Sequence, residues 1–221
     1  MASGYYTILG SLPHLPHFEM AERLPLTRLR LEQRISMLEA EEAKQLYLAE
    51  DLISQRKAVA SQRTYADMAK RFRKGMAEIT QPVLRSYVED RIDQMTVLAA
   101  LRLRREGRDL SKGGVNWGLG RRVRYIESHW NDPDFRLTSN YPWLPEARNL
   151  LEADDTRGLD RFLLNINWQA LGWIADREPL GFGGVVAFLF KWDILNAWLV
   201  RNAERATQKF KELMGEVKHG Q

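Results

Sequence analysis

The chain has 221 residues, 44% hydrophobic and 28% charged, which is ordinary for a globular protein with one sizeable core or two small lobes. It has no cysteine, and this excludes a disulfide framework, a thiolate metal site and a thiol nucleophile. The net charge of +4 arises from 33 basic and 29 acidic residues that are interleaved, so it is no strong signature of nucleic-acid binding. The first residues lack a basic segment followed by a long apolar run, so we expect no signal peptide and a cytoplasmic protein.

Three prolines interrupt the apolar first segment of the chain, at Pro13, Pro16 and Pro25. Because proline is not tolerated in a helix interior, we predict an extended, packed arm over residues 1–26 rather than a long helix. The arm carries His14 and His17, but no third ligand lies nearby in sequence, so we predict no zinc site.

Helical signals follow the arm. Thr27 precedes an apolar stripe and is expected to begin a helix, and the spacing of Ser36 and Glu39 predicts a capping box at the start of a second one. Thr64 is a good N-cap for a third helix, and Pro82 suits the first turn of a fourth. The third has the clearest amphipathic pattern in the sequence, carried by Tyr65, Met68, Ala69, Phe72, Met76 and Ile79.

The fourth predicted helix ends in a run of arginines before Gly107, a natural C-terminal stop. Arg102, Arg104 and Arg105 lie at the negative end of the helix dipole, where cations are favoured without any ligand. Contact with a partner is the alternative role of this cluster.

The glycine-rich residues 108–120 predict a loop, and residues 131–145, which contain three prolines, predict a linker. The loop follows no strand and lacks the Lys–Ser/Thr pair of a phosphate-binding loop, so it predicts no nucleotide site. We therefore expect a helical lobe over residues 27–130, which includes a short helix over 121–130, and a second lobe over 146–221. A single domain containing both lobes is the alternative.

The second lobe begins with residues 146–151, which have helical spacing, and two longer helices are predicted after them. Residues 159–175 have an inner face that includes Phe162, Ile166 and Trp173, and residues 182–206 are apolar nearly all round, as in a buried core helix. A membrane span fits this helix poorly, because its uncharged run ends at Lys191. Strand-like alternation is not found, so the predicted fold is all-α.

Asp93 and Asp193 each interrupt an apolar stretch of a predicted helix. Because a buried lone carboxylate is costly, we expect each to form a salt bridge with an arginine of another helix, and a pair of catalytic acids is the alternative. The sequence has neither a GxSxG nor an HExxH motif. We therefore predict a protein that is not an enzyme and that has no cofactor and no metal.

Residues 91–107 resemble a helix of the C-type central-stalk subunit of V/A-type ATPases, the funnel subunit that is called d-type in eukaryotes. The matching positions are Ile92, Asp93, Leu98, Leu101, Arg102, Arg104, Arg105 and Gly107, and Thr96 stands near the asparagine of the family. Residues 185–202 resemble a second helix of that family through Val186, Ala187, Phe188, Leu189, Lys191, Asp193, Ile194 and Asn196. Alignment of the two acids suggests a faint internal repeat.

Other segments resemble a shorter bacterial family that is encoded beside V-type ATPase genes and is similar to the funnel subunit. The opening residues YYTILGSLPHL are similar to its start, and so is the region that contains Trp130, Pro133, Asp134, Phe135 and Trp143. The resemblance implies a helical bundle of two similar lobes, a reduced form of the funnel. It also implies a non-catalytic role in which the protein couples the central shaft to the membrane rotor ring, for ion transport or ATP synthesis.

Partners implied by the resemblance are the proteins of the central shaft and the rotor ring, with the protein held peripherally at the cytoplasmic membrane. The candidate contacts are the loop Lys112–Gly120, which contains an exposed-looking tryptophan, and the arginines, because both residue types are enriched at interfaces. By number they are Arg102, Arg104, Arg105, Trp117, Arg121 and Arg122.

The main alternative is a basic helical adaptor that binds nucleic acid. Its surface would consist of Arg71, Arg73, Arg104, Arg105, Arg121, Arg122 and Arg124. An enzyme is the third class, and it would depend on Asp93 and Asp193 in a pocket.

Overall fold

The computed structural model describes residues 2–53, 64–111 and 117–219, and this part of the chain is helical with no strand. The predicted all-α class is therefore confirmed. Nine α-helices occur in these ranges: α1 Ala2–Ser11, α2 Arg28–Ile35, α3 Ala40–Ile53, α4 Tyr65–Glu78, α5 Pro82–Arg105, α6 Val123–Ser128, α7 Leu144–Glu152, α8 Thr156–Arg177 and α9 Phe182–His219. Two 3₁₀ helices cover Phe18–Met20 and Pro133–Arg136.

Helix boundaries follow local chemistry. Thr27 and Thr64 are the N-caps of α2 and α4, and each side chain accepts a hydrogen bond from a backbone N–H three residues on. Pro82 begins α5, and Gly107 follows the end of α5 with a φ of 76°. All four signals were predicted, and the structure confirms them. Such residues are favoured at helix ends because each satisfies or removes a backbone group that would otherwise stay unpaired.

Two predictions about the first 40 residues are wrong. The segment before Pro13 is the helix α1 and not an extended arm, since a proline limits only the residues at and before its own position. Ser36 does not cap α3: it ends α2, and its hydroxyl donates to the carbonyl of Gln33 at 2.9 Å. Helix α3 begins at Ala40 instead.

The chain forms two compact units, of which unit 1 contains residues 1–38 and 168–221 and unit 2 contains residues 39–167. The boundary falls within α8. The predicted arm, residues 1–26, belongs to unit 1, and the predicted linker, residues 131–145, lies inside unit 2. Turns and a 3₁₀ helix occupy this linker region.

Unit 1 is built around the first half of α9. Its buried side chains include Val185, Val186, Leu189, Phe190, Trp192, Leu195 and Trp198, as expected for a core helix. Phe18 is fully buried, and its ring centroid lies 5.2 Å from that of Trp198. The Trp192 indole N–H donates to the carbonyl of Leu26 at 2.7 Å, which satisfies its polar atom inside the core.

Helix α9 extends beyond the predicted end at residue 206, since its backbone stays helical to His219. Its segment Phe182–Glu204 has the length and apolar composition of a membrane span, but 56% of the most apolar window is buried inside the protein. Burial of this kind is typical of the core helix of a folded domain.

Unit 2 packs α3 against α4 and α5, and α5 against α6 and α7. Buried Gln45 on α3 joins these elements, because its side-chain oxygen accepts from the backbone N–H groups of Thr80 and Gln81 at 2.9 and 3.0 Å. A continuous apolar core then surrounds the second half of α5 and includes Val97, Leu101, Ile126, Trp130, Phe135 and Leu144.

Three consecutive residues of the second 3₁₀ segment, Asp134, Phe135 and Arg136, have φ values of 51°, 51° and 56°. Left-handed backbone costs roughly 1–2 kcal/mol per non-glycine residue, so contacts must hold it. Phe135 is fully buried, and the Arg148 guanidinium lies 2.8 Å from the Asp134 carboxylate.

Candidate functional site

The candidate site is centred on Asp93, whose side chain is 0% exposed in the middle of α5. One carboxylate oxygen accepts from the backbone N–H of Arg121 at 3.0 Å. The other accepts from the Arg121 guanidinium, whose Nη2 lies at 2.9 Å, and from the Tyr141 hydroxyl at 3.2 Å. The charge is therefore paired and hydrogen-bonded, which is the condition for burying a carboxylate.

Arg121 connects Asp93 to two further acids on the same helix. Its Nη1 lies 3.0 Å from Glu89 and its Nη2 lies 3.1 Å from Asp90. Burial lowers the pKa of Arg121, but the Asp93 carboxylate, with Glu89 and Asp90, outweighs burial and holds the pKa above its ordinary value. Burial raises the pKa of Asp90, although Arg121 opposes that shift.

Arg122 and Tyr141 complete the surroundings of the carboxylate. Arg122 Nε lies 3.8 Å from Asp93 and donates to the Tyr141 hydroxyl at 3.1 Å. Its guanidinium also lies over the Tyr141 ring, 5.6 Å from the centroid. Burial and the negative charge of Asp93 keep the pKa of Tyr141 raised, so its hydroxyl stays protonated and can donate.

Residues 117–122 are fixed on α5 by a second polar residue one turn after Asp93. The Thr96 hydroxyl accepts from the backbone N–H of Leu119 at 3.2 Å and donates to the Leu119 carbonyl. The Tyr65 hydroxyl of α4 donates to the carbonyl of Gly118. Gly120 has a φ of 90°, and a Cβ there would lie 2.7 Å from the Asp93 carboxylate. The segment therefore requires glycine where it approaches the acid.

A cleft of about 360 Å³ adjoins this network, between α4, α5 and the segment that contains Gly120 and Arg121. Its wall combines the apolar side chains of Phe72, Met76 and Ala77 with three arginines and two acids: Arg73, Arg85, Arg121, Glu89 and Asp93. This combination has the character of a small binding site.

The six predicted contact residues have different environments. Arg102 is exposed. Arg104 is half-buried, donates to the carbonyls of Trp130 and Asp132 at 3.2 and 2.7 Å, and lies over the Phe135 ring. Arg105 reaches the Leu151 carbonyl and the Asp154 carboxylate.

Arg121 and Arg122 surround Asp93, so four of the five arginines hold unit 2 together. Burial lowers the pKa of Arg104, as expected for a partly desolvated cation.

Trp117 is half-buried and not exposed as predicted. Its indole N–H donates to Glu127 at 3.0 Å, and its ring packs edge-on against Trp130. The neighbouring residues 112–116 of the predicted contact loop Lys112–Gly120 lie outside the described residues. A tryptophan in a glycine-rich loop gave no sequence signal for burial, because its partners lie on other elements.

Asp193 on α9 also forms an ion pair, but its side chain is more exposed to solvent than that of Asp93. Its carboxylate lies 3.6 Å from Arg28 of α2, and its side chain is 29% exposed. The predicted interhelical salt bridge is confirmed here. For Asp93 the arginine partners are also found, but they lie on the loop before α6. The two acids that the predicted repeat aligns therefore occupy dissimilar environments.

Trp173 on α8 is 68% exposed, although its spacing predicted an inner position. The prediction is wrong because the buried side of α8 in unit 1 is marked by Trp168 and Leu171, of which Leu171 is fully buried. Unit 1 exposes other large apolar side chains as well: Tyr6, Met20, Leu29, Met37 and Leu180.

Among the described residues no group of three or more His, Asp or Glu side chains could hold a metal ion. Comparison with protein-family models, with curated proteins and with solved structures found no match to this chain. The resemblance to the funnel subunit of V/A-type ATPases stays a prediction.

Sequence reasoning found Asp93 but missed Tyr141, Glu89 and Gln45. Each is an ordinary residue of a helix or loop in the sequence, and each becomes part of a network through a contact with a residue 32 to 48 positions away. The available signal for Asp93 was its apolar context; for Tyr141 no comparable signal exists.

Proposed function

We propose that this protein is a non-catalytic central-stalk subunit of a V/A-type rotary ATPase, which couples the central shaft to the membrane rotor ring for ion transport or ATP synthesis. It would be a cytoplasmic protein held at the membrane through that complex. The observation that carries the proposal is the environment of Asp93, the acid at the centre of the resembling helix. Its carboxylate is wholly buried and serves to fasten a loop to α5.

A carboxylate whose two oxygens already accept hydrogen bonds within the protein is suited to a structural role and not to proton transfer. Both Asp93 oxygens already accept hydrogen bonds from Arg121, and one also accepts from Tyr141. A general acid or base needs an oxygen within reach of the substrate proton. Asp193, the second acid, is likewise paired with Arg28. These two environments support a mechanical role over an enzyme.

Contact with partner proteins would involve residues that the fold leaves exposed. Trp173 is the largest of these, and tryptophan is among the residues most enriched at interface hot spots. Arg102 and Arg105 are the predicted contact arginines that lie exposed at the end of α5, and Arg105 already donates to the Leu151 carbonyl and the Asp154 carboxylate. We therefore assign the partner-contact role to Trp173 and Arg102 ahead of Arg104, Arg105, Arg121 and Arg122.

The nucleic-acid alternative gains no support from these positions. Arg71 pairs with Asp51, and Arg104, Arg105, Arg121 and Arg122 contact groups within the chain, as described above. Affinity for nucleic acid depends on many free cations placed against phosphates. Five of the seven arginines are engaged inside unit 2.

The test is affinity purification of the full chain from its native cell in mild detergent, with co-purifying proteins identified by mass. We expect the ATPase head, the shaft and the membrane ring in fixed proportion. Recovery of nucleic acid, or of no ATPase component, would contradict the proposal.

The contact assignment is tested with Trp173→Ala and Arg102→Glu. Met37→Ala and Arg108→Glu serve as controls, because they change other exposed residues in the same way. We expect the first two variants to melt like the parent protein and to recover less of the complex. Equal recovery by test and control variants would show that these residues are not contacts.

A further inference from the structure

The cleft beside Asp93 presents positive charge to solvent. The side chains of Arg85 and Arg121 are 46% and 51% exposed, whereas those of Glu89 and Asp93 are 22% and 0% exposed. The two acids of the wall are therefore less exposed to solvent than these two guanidinium groups. Asp90 also contacts Arg121, but it does not line the cleft. An incoming anion would meet arginine first.

Arg73 is the arginine of the cleft that is best placed to receive a ligand. Arg85 donates to the carbonyls of Met76 and Ile79 and pairs with Glu89, and Arg121 pairs with three acids. Arg73 is exposed and forms no ion pair with any residue in the described ranges. Its charge is thus available to an external carboxylate.

The neighbouring surface of α4 extends this positive charge. Lys70 and Lys74 are exposed on the same helix as Arg73, and neither has an ion-pair partner within the described part of the chain. The apolar wall of the cleft comes from Phe72, Met76 and Ala77. The site therefore offers an apolar surface beside cations that have no ion-pair partner among the described residues.

We propose that this cleft binds a short acidic segment of a partner protein, with one bulky apolar side chain against Phe72 and Met76 and one carboxylate on Arg73. The inference rests on the proposed function, since it names the chemistry by which another component of the complex would be held. The volume of about 360 Å³ is at the small end of the range for binding pockets, about 300–1,000 Å³, and suits one or two side chains.

A protein segment fits this site better than nucleic acid does. A nucleic acid gains its affinity from several phosphates, each placed on a free cation. Two of the three arginines of the cleft are already paired with the two acids of its wall, and the other side chains of the wall besides Arg73 are apolar. An acidic segment with an apolar anchor would use both properties of the wall.

The first experiment is photo-crosslinking in the native cell with the full chain. p-Benzoylphenylalanine replaces Ala77, which is exposed and lines the cleft, and in the control it replaces Ala66, which is exposed on the same helix and does not line it. We expect position 77 alone to give a crosslink to one peptide in which Asp or Glu adjoins a bulky apolar residue. No crosslink above the control, or a peptide without acids, would overturn the proposal.

The second experiment measures binding of the crosslinked segment as a fluorescein-labelled synthetic peptide by anisotropy. Arg73→Glu should weaken binding about tenfold or more, because a charge-assisted hydrogen bond is lost and a repulsion is added. Arg108→Glu makes the same charge change at an exposed residue that does not line the cleft and should weaken binding by less than about twofold. Equal losses, or displacement of the peptide by a 20-nucleotide RNA at equal concentration, would overturn the proposal.

These outcomes separate this inference from the proposed function. A purified complex that contains the ATPase components but gives no crosslink at position 77 contradicts the cleft proposal alone. A crosslinked acidic segment that shows the Arg73 dependence but belongs to a different complex contradicts the stalk proposal alone.

Discussion

Replacement of Asp93 by asparagine tests whether its ion pair holds unit 2 together. Asparagine has the same shape but no charge, and its NH₂ group must face the donors on Arg121 or Tyr141. Breaking a buried ion pair costs about 3–5 kcal/mol. Arg121 keeps Glu89 and Asp90 and stays half-exposed after the change, so we expect the low end, about 3 kcal/mol.

The matched control is Asp193→Asn, which makes the same chemical change at the acid that the repeat alignment places opposite Asp93. Its side chain is 29% exposed, and its carboxylate lies 3.6 Å from a guanidinium nitrogen of Arg28. Exposed ion pairs contribute about 0–1 kcal/mol, so this variant should stay close to the parent protein.

Urea unfolding followed by circular dichroism and by tryptophan fluorescence measures both variants. For a chain of this length, a loss of about 3 kcal/mol corresponds to a melting temperature lower by about 6–12 °C. A cost of less than about 1 kcal/mol for Asp93→Asn, or equal costs for Asp93→Asn and Asp193→Asn, would show that the Asp93 ion pair does not hold unit 2 together.

Three further outcomes are expected. Gly120→Ala should cost about 2–4 kcal/mol in urea unfolding, because its left-handed φ is combined with a Cβ contact at 2.7 Å to Asp93. The control Gly107→Ala, at a φ of 76° with nothing within 4 Å of the added Cβ, should cost only about 1 kcal/mol, and equal costs would contradict the contact at Gly120. Thr96→Val should cost about 1–3 kcal/mol in the same assay, because it leaves the backbone N–H and carbonyl of Leu119 unpaired. Thr96→Ser keeps the hydroxyl and should retain most of this stability, whereas a Thr96→Val protein as stable as the parent would show that water replaces the hydroxyl. Burial lowers the pKa of Lys191, although Asp176 opposes the shift, so its ¹³C-dimethylated amine should titrate below 10.5 by NMR, with Lys191→Arg used to assign the signal. Between the folded and unfolded pKa values the unfolded chain binds more protons, so the contribution of this group to stability increases as pH rises through that interval. A titration midpoint at or above 10.5 would contradict the burial of this amine.

Most helices could be predicted from the sequence, because their signals are local. The period of apolar residues identified α4, α5 and α9, and Thr64 and Pro82 fixed two helix starts through groups within three residues of them. The first helix was missed because three prolines were taken to govern the whole segment, although Pro13 lies after α1. Burial along α8 was assigned to the wrong side at Trp173.

The site was only partly predictable. The sequence indicated that Asp93 needs a cation, because a lone carboxylate in an apolar helix is costly. It gave no means of choosing among the arginines, since Arg104, Arg105, Arg121 and Arg122 look equally basic. In the structure the first two bind carbonyls and Asp154, and the last two surround Asp93.

The sequence by itself determined the all-α class, the apolar character of α9 and the requirement that Asp93 and Asp193 be paired, because these follow from periodicity and from the cost of burying charge. Only the tertiary structure decided that Asp93 is fully buried while Asp193 stays partly exposed, and that Trp117 is half-buried while Trp173 is exposed. Exposure depends on which elements meet, and those contacts join residues tens of positions apart that no local pattern relates.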